Sequence, residues 1–129
     1  MPPGTAPKIE DIESLLKKHN DFKAIFMQAN ETSTGVFNPI GEIFQKIRPH
    51  FKGLLVVDAI SAVCAHPIDF DQMGIDVLVG GSQKGFGLPP GLSFVAVSDR
   101  GWESSSRRPK FYLDSKLEKS NQDTGTTAF

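Results

Sequence analysis

Apolar residues fall along this chain in two rhythms. Between residues 9 and 18 they recur at Ile9, Ile12, Leu15 and Leu16, the spacing of one helical face. Lys17 and Lys18 stand in the last turn of that segment, where positive charge suits the helix dipole. Asn20-Asp21 marks its end. A second helix is predicted to open at Pro39, with Ile40, Ile43, Phe44 and Ile47 on one face and Pro49 and Gly53 bracketing its end.

The other rhythm is continuous. Phe22 to Met27, Gly53 to Asp58, Asp76 to Val79 and Leu92 to Val97 are short apolar runs of strand length. Strands apolar on both faces belong in a covered, mostly parallel sheet. Helix, strand, helix, strand, turn, strand, strand therefore predicts an α/β fold, a three-layer α/β/α arrangement around a mainly parallel sheet. The Phe22, Leu54 and Val77 strands are expected to pair in parallel, which requires right-handed crossovers between them. The 92–97 run follows the Pro89-Pro90 loop, which has no helical pattern, so an antiparallel placement is open to it.

Elsewhere the pattern is weaker. Residues 59–74 are irregular, with a helical turn expected around Phe70–Met73. Trp102 suits packing on a short helix, 104–109 reads as loop, and Phe111-Tyr112-Leu113 as a short apolar contact. The expected organisation is a flexible segment over 1–8, a body over 9–117 and a poorly packed polar tail over 118–129.

Composition narrows the function classes. Of 129 residues 39% are hydrophobic and 22% charged, ordinary values for a globular domain. A formal net charge of -1 argues against nucleic acid or an acidic membrane surface as partner. No apolar run is long enough to span a bilayer, and MPPGTAPKIEDIE does not resemble a secretion signal. The single cysteine, Cys64, permits no internal disulfide, so a reducing compartment such as the cytoplasm, peroxisome or mitochondrion is expected.

In open α/β sheets ligands bind beyond the C-terminal ends of the strands. Three predicted strands deliver polar groups there: Glu31, Thr32 and Ser33; Asp58 and Ser61; Ser82, Gln83 and Lys84. A lysine and a carboxylate in one crevice suit pyridoxal phosphate (PLP) chemistry. The amine condenses with an aldehyde. A carboxylate facing the ring nitrogen keeps the ring an electron sink. The freed amine then moves a proton between substrate Cα and cofactor C4′. Gly80, Gly81 and Gly85 allow close backbone approach.

Other features read as structural. Glu31 bonds loop amides, Cys64 is a small packed residue, and His19, His50 and His66 lack metal-ligand spacing. The 80–87 glycines lack the order of a Walker loop.

Four ordered motifs carry a resemblance. Asn30-Glu-Thr-Ser-Thr-Gly-Val-Phe-Asn-Pro39, Leu55-Val-Val-Asp58-Ala-Ile-Ser61, Gly74-Ile-Asp76-Val-Leu-Val-Gly-Gly-Ser-Gln-Lys84 and Leu88-Pro-Pro-Gly-Leu-Ser93 together resemble the class V aminotransferases, most nearly the alanine–glyoxylate and serine–glyoxylate type. The resemblance covers about residues 9–117 and implies part of the large domain of fold-type I PLP enzymes. It makes Lys84 the Schiff-base lysine, pairs Asp58 with the pyridine nitrogen, brings Gln83 beside the cofactor, sets Thr32 near the ring 3-oxygen and leaves Ser61 a more distant contact. It implies amino transfer from serine or alanine to a 2-oxo acid such as glyoxylate, by a homodimer with pyridoxal 5'-phosphate. Family enzymes are much longer. Their phosphate-binding turn, their ring-stacking aromatic and the arginine that grips the substrate carboxylate fall outside this chain, so a fragment is expected. Two alternatives follow: a catalytically inactive piece serving at most as a folding or dimerisation module, or another fold-type I activity such as a desulfurase or lyase.

Overall fold

The computed structural model describes residues 2–105 and 114–125. Helix α1 (Ile9–Lys18) leads into strand β1 (Ala24–Gln28). A short hairpin of β2 (Asn30–Glu31) and β3 (Val36–Phe37) precedes helix α2 (Ile40–Ile47). Then come β4 (Leu54–Asp58), β5 (Val77–Gly81), β6 (Ser93–Val97) and helices α3 (Asp99–Glu103) and α4 (Ser115–Asn121).

The main sheet has the order β1-β4-β5-β6. β1 and β4 are parallel, as are β4 and β5, while β6 runs antiparallel to β5. The expected parallel trio is thus present. The helix-free loop before β6 accounts for its reversal, because a parallel return needs a long crossover. The β2–β3 hairpin stands where the sequence shows only a polar loop. Its turn uses Gly35 at φ 69°.

Helix α2 carries the core. Ile40, Ile43, Phe44 and Ile47 are fully buried against Leu55 and Val57 of β4 and Leu78 of β5. Burial of each such side chain contributes roughly 1.5–3 kcal/mol. Ile9, Ile12 and Leu16 of α1 pack at the margin of the same cluster, beside Ile25 and Met27. One face of the sheet is therefore closed by α1 and α2. The opposite face bears Phe26, Val56, Val79 and Val95; Phe26 is 78% and Val95 58% exposed. The helical layer on that side is partial, with α4 approaching Val77, Val95 and Val97 around a cavity of about 690 Å³.

The N-terminal ends of the strands are fastened by Asp76, which is 3% exposed. Its Oδ2 accepts from Arg48 Nη2 at 2.6 Å and from the Leu55 amide at 2.8 Å. Its Oδ1 accepts from Ser98 Oγ at 3.2 Å. Arg48 also donates to the carbonyls of Gly53 and Gly74, and Arg100 donates to the Lys52 and Gly53 carbonyls. A buried carboxylate with this many donors joins α2, β4, β5 and α3 at the edge remote from the lysine.

One sequence reading, that of Cys64, differs from the fold, and the C-terminal helices add detail to the rest. Helix α4 runs through the expected body–tail boundary at 117, capped by Asp114, whose Oδ1 accepts from the Lys116 and Leu117 amides. Lys119 of α4 lies 4.5 Å from the centre of the Trp102 ring, on short helix α3. Cys64 is not packed: it is exposed and holds a left-handed φ of 65°. The turns around it, with Ala65 and His66 amides donating to the Ala62 carbonyl, reverse the chain at that point and turn the thiol outward. The Phe111–Leu113 contact lies outside the described residues.

Candidate active site at the C-terminal strand ends

Register decides which side chains meet. Gln28, Asp58 and Val79 are lateral neighbours on β1, β4 and β5. They share the sheet face that α1 and α2 leave open. With Phe26 and Val56 they line a shallow cavity of about 500 Å³. Asp58 ends β4 with its carboxylate exposed. Oδ1 accepts from the Ile60 amide at 3.0 Å, which fixes the carboxylate plane, while Oδ2 has no protein partner among the described residues.

Thr32 and Ser61, far apart in sequence, meet beside Asp58. Thr32 Oγ1 donates to Ser61 Oγ at 3.0 Å, Asn30 Nδ2 donates to the same oxygen at 3.1 Å, and Ser61 Oγ donates to the Asn30 carbonyl at 3.1 Å. Ser61 thereby clasps the 30–35 hairpin to the end of β4. Asn30 belongs to this cluster although the sequence reading passed over it. Its only sequence signal was its place at the head of the polar stretch.

Glu31 takes the structural role expected of it. It accepts from the backbone amide of Ser33 at 2.9 Å and from Ser33 Oγ at 2.8 Å. The backbone bond first, then the hydroxyl bond, hold its carboxyl below the usual glutamate range.

The β5 end brings the lysine. Ser82, Gln83 and Lys84 follow Gly81 directly, and the exposed Lys84 side chain has no hydrogen-bond or ion-pair partner among the described residues. Gln83 folds back over Gly81: a Cβ on that glycine would lie 2.7 Å from Gln83 Oε1. Gly81 is two residues beyond Val79, so the Gln83 amide lies on the Asp58 face. Gly85 makes the decisive contact. A Cβ there would stand 2.2 Å from the Val63 carbonyl oxygen and 3.1 Å from the Ala65 nitrogen. The turn holding Lys84 is therefore seated, backbone on backbone, against the turn that follows Asp58. Phe86 adds an apolar anchor, meeting Phe94 edge-on with ring centres 5.5 Å apart.

Lys84, Gln83, Asp58, Thr32 and Ser61 are thus gathered at one sheet edge. The donor set fits PLP. A free amine, a half-engaged carboxylate and the hydroxyls of Thr32 and Ser61 share an edge, and the carboxylate borders a cavity lined by Val56 and Val79.

A four-stranded, mainly parallel sheet with a lysine and an aspartate at its C-terminal edge defines part of the large domain of a fold-type I PLP enzyme. Comparison with known proteins makes this specific. A model of the family described as "Aminotransferase class-V" matches residues 3–118. The chain belongs to the class V aminotransferase family, whose cofactor is pyridoxal 5'-phosphate. It is 41% identical over 98 residues to the soluble hydrogenase 42 kDa subunit of Anabaena cylindrica, a match covering 74% of this chain and 26% of that protein. It is 34% identical over 119 residues to the alanine–glyoxylate aminotransferase of Oryctolagus cuniculus, covering 89% and 30%. Its fold superposes on a subgroup IV aspartate aminotransferase from Thermus thermophilus with a TM-score of 0.83 and 31% identity, covering 100% of this chain and 36% of that one. The chain spans about a quarter to a third of the length of these proteins.

Proposed function

We propose that this chain is the cofactor-anchoring part of a PLP-dependent aminotransferase that moves an amino group from a small amino acid, alanine or serine, to a 2-oxo acid such as glyoxylate. Family membership and the likeness to an alanine–glyoxylate aminotransferase support the reaction class. The observation that carries the site is the seating of Gly85 on the Val63–Ala65 turn, which ties the Lys84 segment to the Asp58 strand end.

When bound, PLP supplies an aldehyde and an electron-withdrawing ring. Lys84 Nζ would hold the cofactor through that aldehyde, and its amine, once free, would serve as the base and acid that moves the substrate proton. Asp58 Oδ2 would accept from the protonated ring nitrogen, and Oδ1, bonded to the Ile60 amide, restrains the carboxylate. Thr32, whose loop Ser61 holds, would supply a hydroxyl near the ring 3-oxygen. Gln83 reaches the cofactor beside the lysine. Phe26, Val56 and Val79, which line the adjacent cavity, would shield one side of a bound ring from water. Assembly as a homodimer and residence in a reducing compartment extend this reading on the family resemblance and on the single cysteine.

The test is spectroscopic. Addition of PLP to the purified chain should give a near-ultraviolet or visible band shifted from free cofactor, lost in Lys84→Ala. A band that persists unchanged in Lys84→Ala, or no band in the unaltered chain, contradicts the assignment.

A further inference from the structure

Ser82 is a polar side chain at this edge that the proposed chemistry leaves unused, and it is buried, at 5% exposed. Its surroundings set out what it does. The Ser82 amide donates to the Leu92 carbonyl at 3.0 Å, and the Leu88 amide donates to the Ser82 carbonyl at 3.2 Å. The hydroxyl donates to the Pro89 carbonyl at 2.7 Å and accepts a long bond from the Leu92 amide at 3.4 Å. Every polar group of one residue is spent on closing the loop that runs from 83 to 91.

Residues 83–92 are all exposed, and the loop's other ties are the seating of Gly85 on the Val63–Ala65 turn and the Phe86–Phe94 ring contact, both on its outgoing limb. Pro89 and Pro90 have no amide hydrogens, so the loop cannot knit itself together across its return limb. A serine hydroxyl at the base, able to donate and accept at once, supplies what the prolines withhold. At the tip the Gly87 amide donates to the Lys84 carbonyl at 2.9 Å, so the lysine's own backbone is part of the ring that Ser82 closes.

Resting on the assignment of Lys84 as the cofactor lysine, we propose that Ser82 is a positioning residue: its hydroxyl clasps the 83–91 loop shut and so sets the place from which Lys84 meets the aldehyde. It touches neither cofactor nor substrate. It acts through the Pro89 carbonyl and the Leu92 amide. Deleting the hydroxyl removes the half-buried bond to the Pro89 carbonyl and the long bond from the Leu92 amide, a loss that costs about tenfold in the equilibrium that keeps the loop closed.

The experiment compares the full chain with Ser82→Ala and Ser82→Thr, far-ultraviolet circular dichroism confirming the sheet in each. Two readouts are taken: hydrogen exchange of the 83–91 amides without cofactor, and the yield of borohydride-reduced PLP on Lys84 against PLP concentration. The expected result in Ser82→Ala is about tenfold faster exchange confined to 83–92 and a PLP half-saturation raised by a similar factor, both moved back toward the unaltered chain by Ser82→Thr. Unchanged exchange in Ser82→Ala overturns the clasp. Faster exchange with unchanged capture overturns the positioning role. So does a Ser82→Ala chain that loses its sheet while Ser82→Thr is loosened to the same extent. Failure of the unaltered chain to capture PLP at Lys84 is a different result: it removes the cofactor assignment and the positioning role with it, while the exchange data still decide the clasp.

Discussion

Replacing Gly85 by alanine probes the contact on which the site is built. The added Cβ would lie 2.2 Å from the Val63 carbonyl oxygen, with the Cys64 carbonyl carbon and Ala65 nitrogen each at 3.1 Å. All three are backbone atoms, so no side-chain rotation relieves the clash. Ordinary contact begins near 3.4 Å, so the two turns must part by about 1.2 Å. The Asp58 side is the firmer one, because Ala59 and Ala62 are fully buried and the Ala59 amide donates to the Val79 carbonyl at 2.9 Å. The exposed Lys84 turn is the part that moves. Overpacking of this size costs roughly 1–3 kcal/mol of stability, and a displacement of about 1 Å at a reacting group can cost on the order of a hundredfold in reaction. Gly85→Ala should therefore keep its circular dichroism and melt in one step at lower temperature. Its capacity to form the lysine-linked PLP band should fall far more than its stability. Gly87→Ala is the control, since a Cβ there meets nothing within 4 Å and the cost is only that of a side chain at φ +66°. If Gly85→Ala captures PLP as well as the unaltered chain, the seating of the two turns does not position the lysine.

Three further outcomes follow from named contacts. Asp76→Ala removes the acceptor shared by Arg48, Ser98 and the Leu55 amide, and should cost about 3–5 kcal/mol in a denaturant melt, as expected for breaking a buried pair; a loss under 1 kcal/mol would show that the network is dispensable. Glu31 has its folded carboxyl lowered by the Ser33 amide, so its contribution to the hairpin is fully present above the ordinary glutamate range and is lost as pH falls through the lowered value; an NMR titration of its side chain should show that lowered midpoint, and Ser33→Pro, which removes the amide hydrogen, should raise it. Ser61→Ala should loosen the 30–35 hairpin by about 1 kcal/mol per lost bond, read by hydrogen exchange, because Asn30 and Thr32 both donate to it.

The sequence made the strands legible because burial on both faces writes itself as unbroken apolar runs. Leu54–Val57 and Val77–Val79 could be read directly, and Asp58 and Lys84 stood out as the polar residues that end such runs. Contacts made by backbone were not legible. Nothing in Cys64 or Gly85 taken singly says that one turn sits on the other, since the contact joins segments some twenty residues apart and uses a carbonyl and a missing side chain. Asp76 looked like the first residue of a strand, and its three donors come from Arg48, Leu55 and Ser98, a set that only the folded chain assembles. The β2–β3 hairpin escaped for a related reason: two-residue strands are too short to show a period, and only Gly35 marked the turn. Helix α4 was hidden by polar composition, because its order comes from the Asp114 cap and the Lys119–Trp102 contact rather than from an apolar stripe.

The central claim is that Lys84 and Asp58 serve one cofactor. Reduction of the chain with borohydride in the presence of PLP, followed by peptide mapping, tests it most directly, carried out in parallel on Asp58→Asn. The account predicts a pyridoxyl group on Lys84 in preference to the other lysines, and weaker capture at that same lysine in Asp58→Asn. Modification spread evenly over surface lysines, or capture at Lys84 indifferent to Asp58, would contradict it.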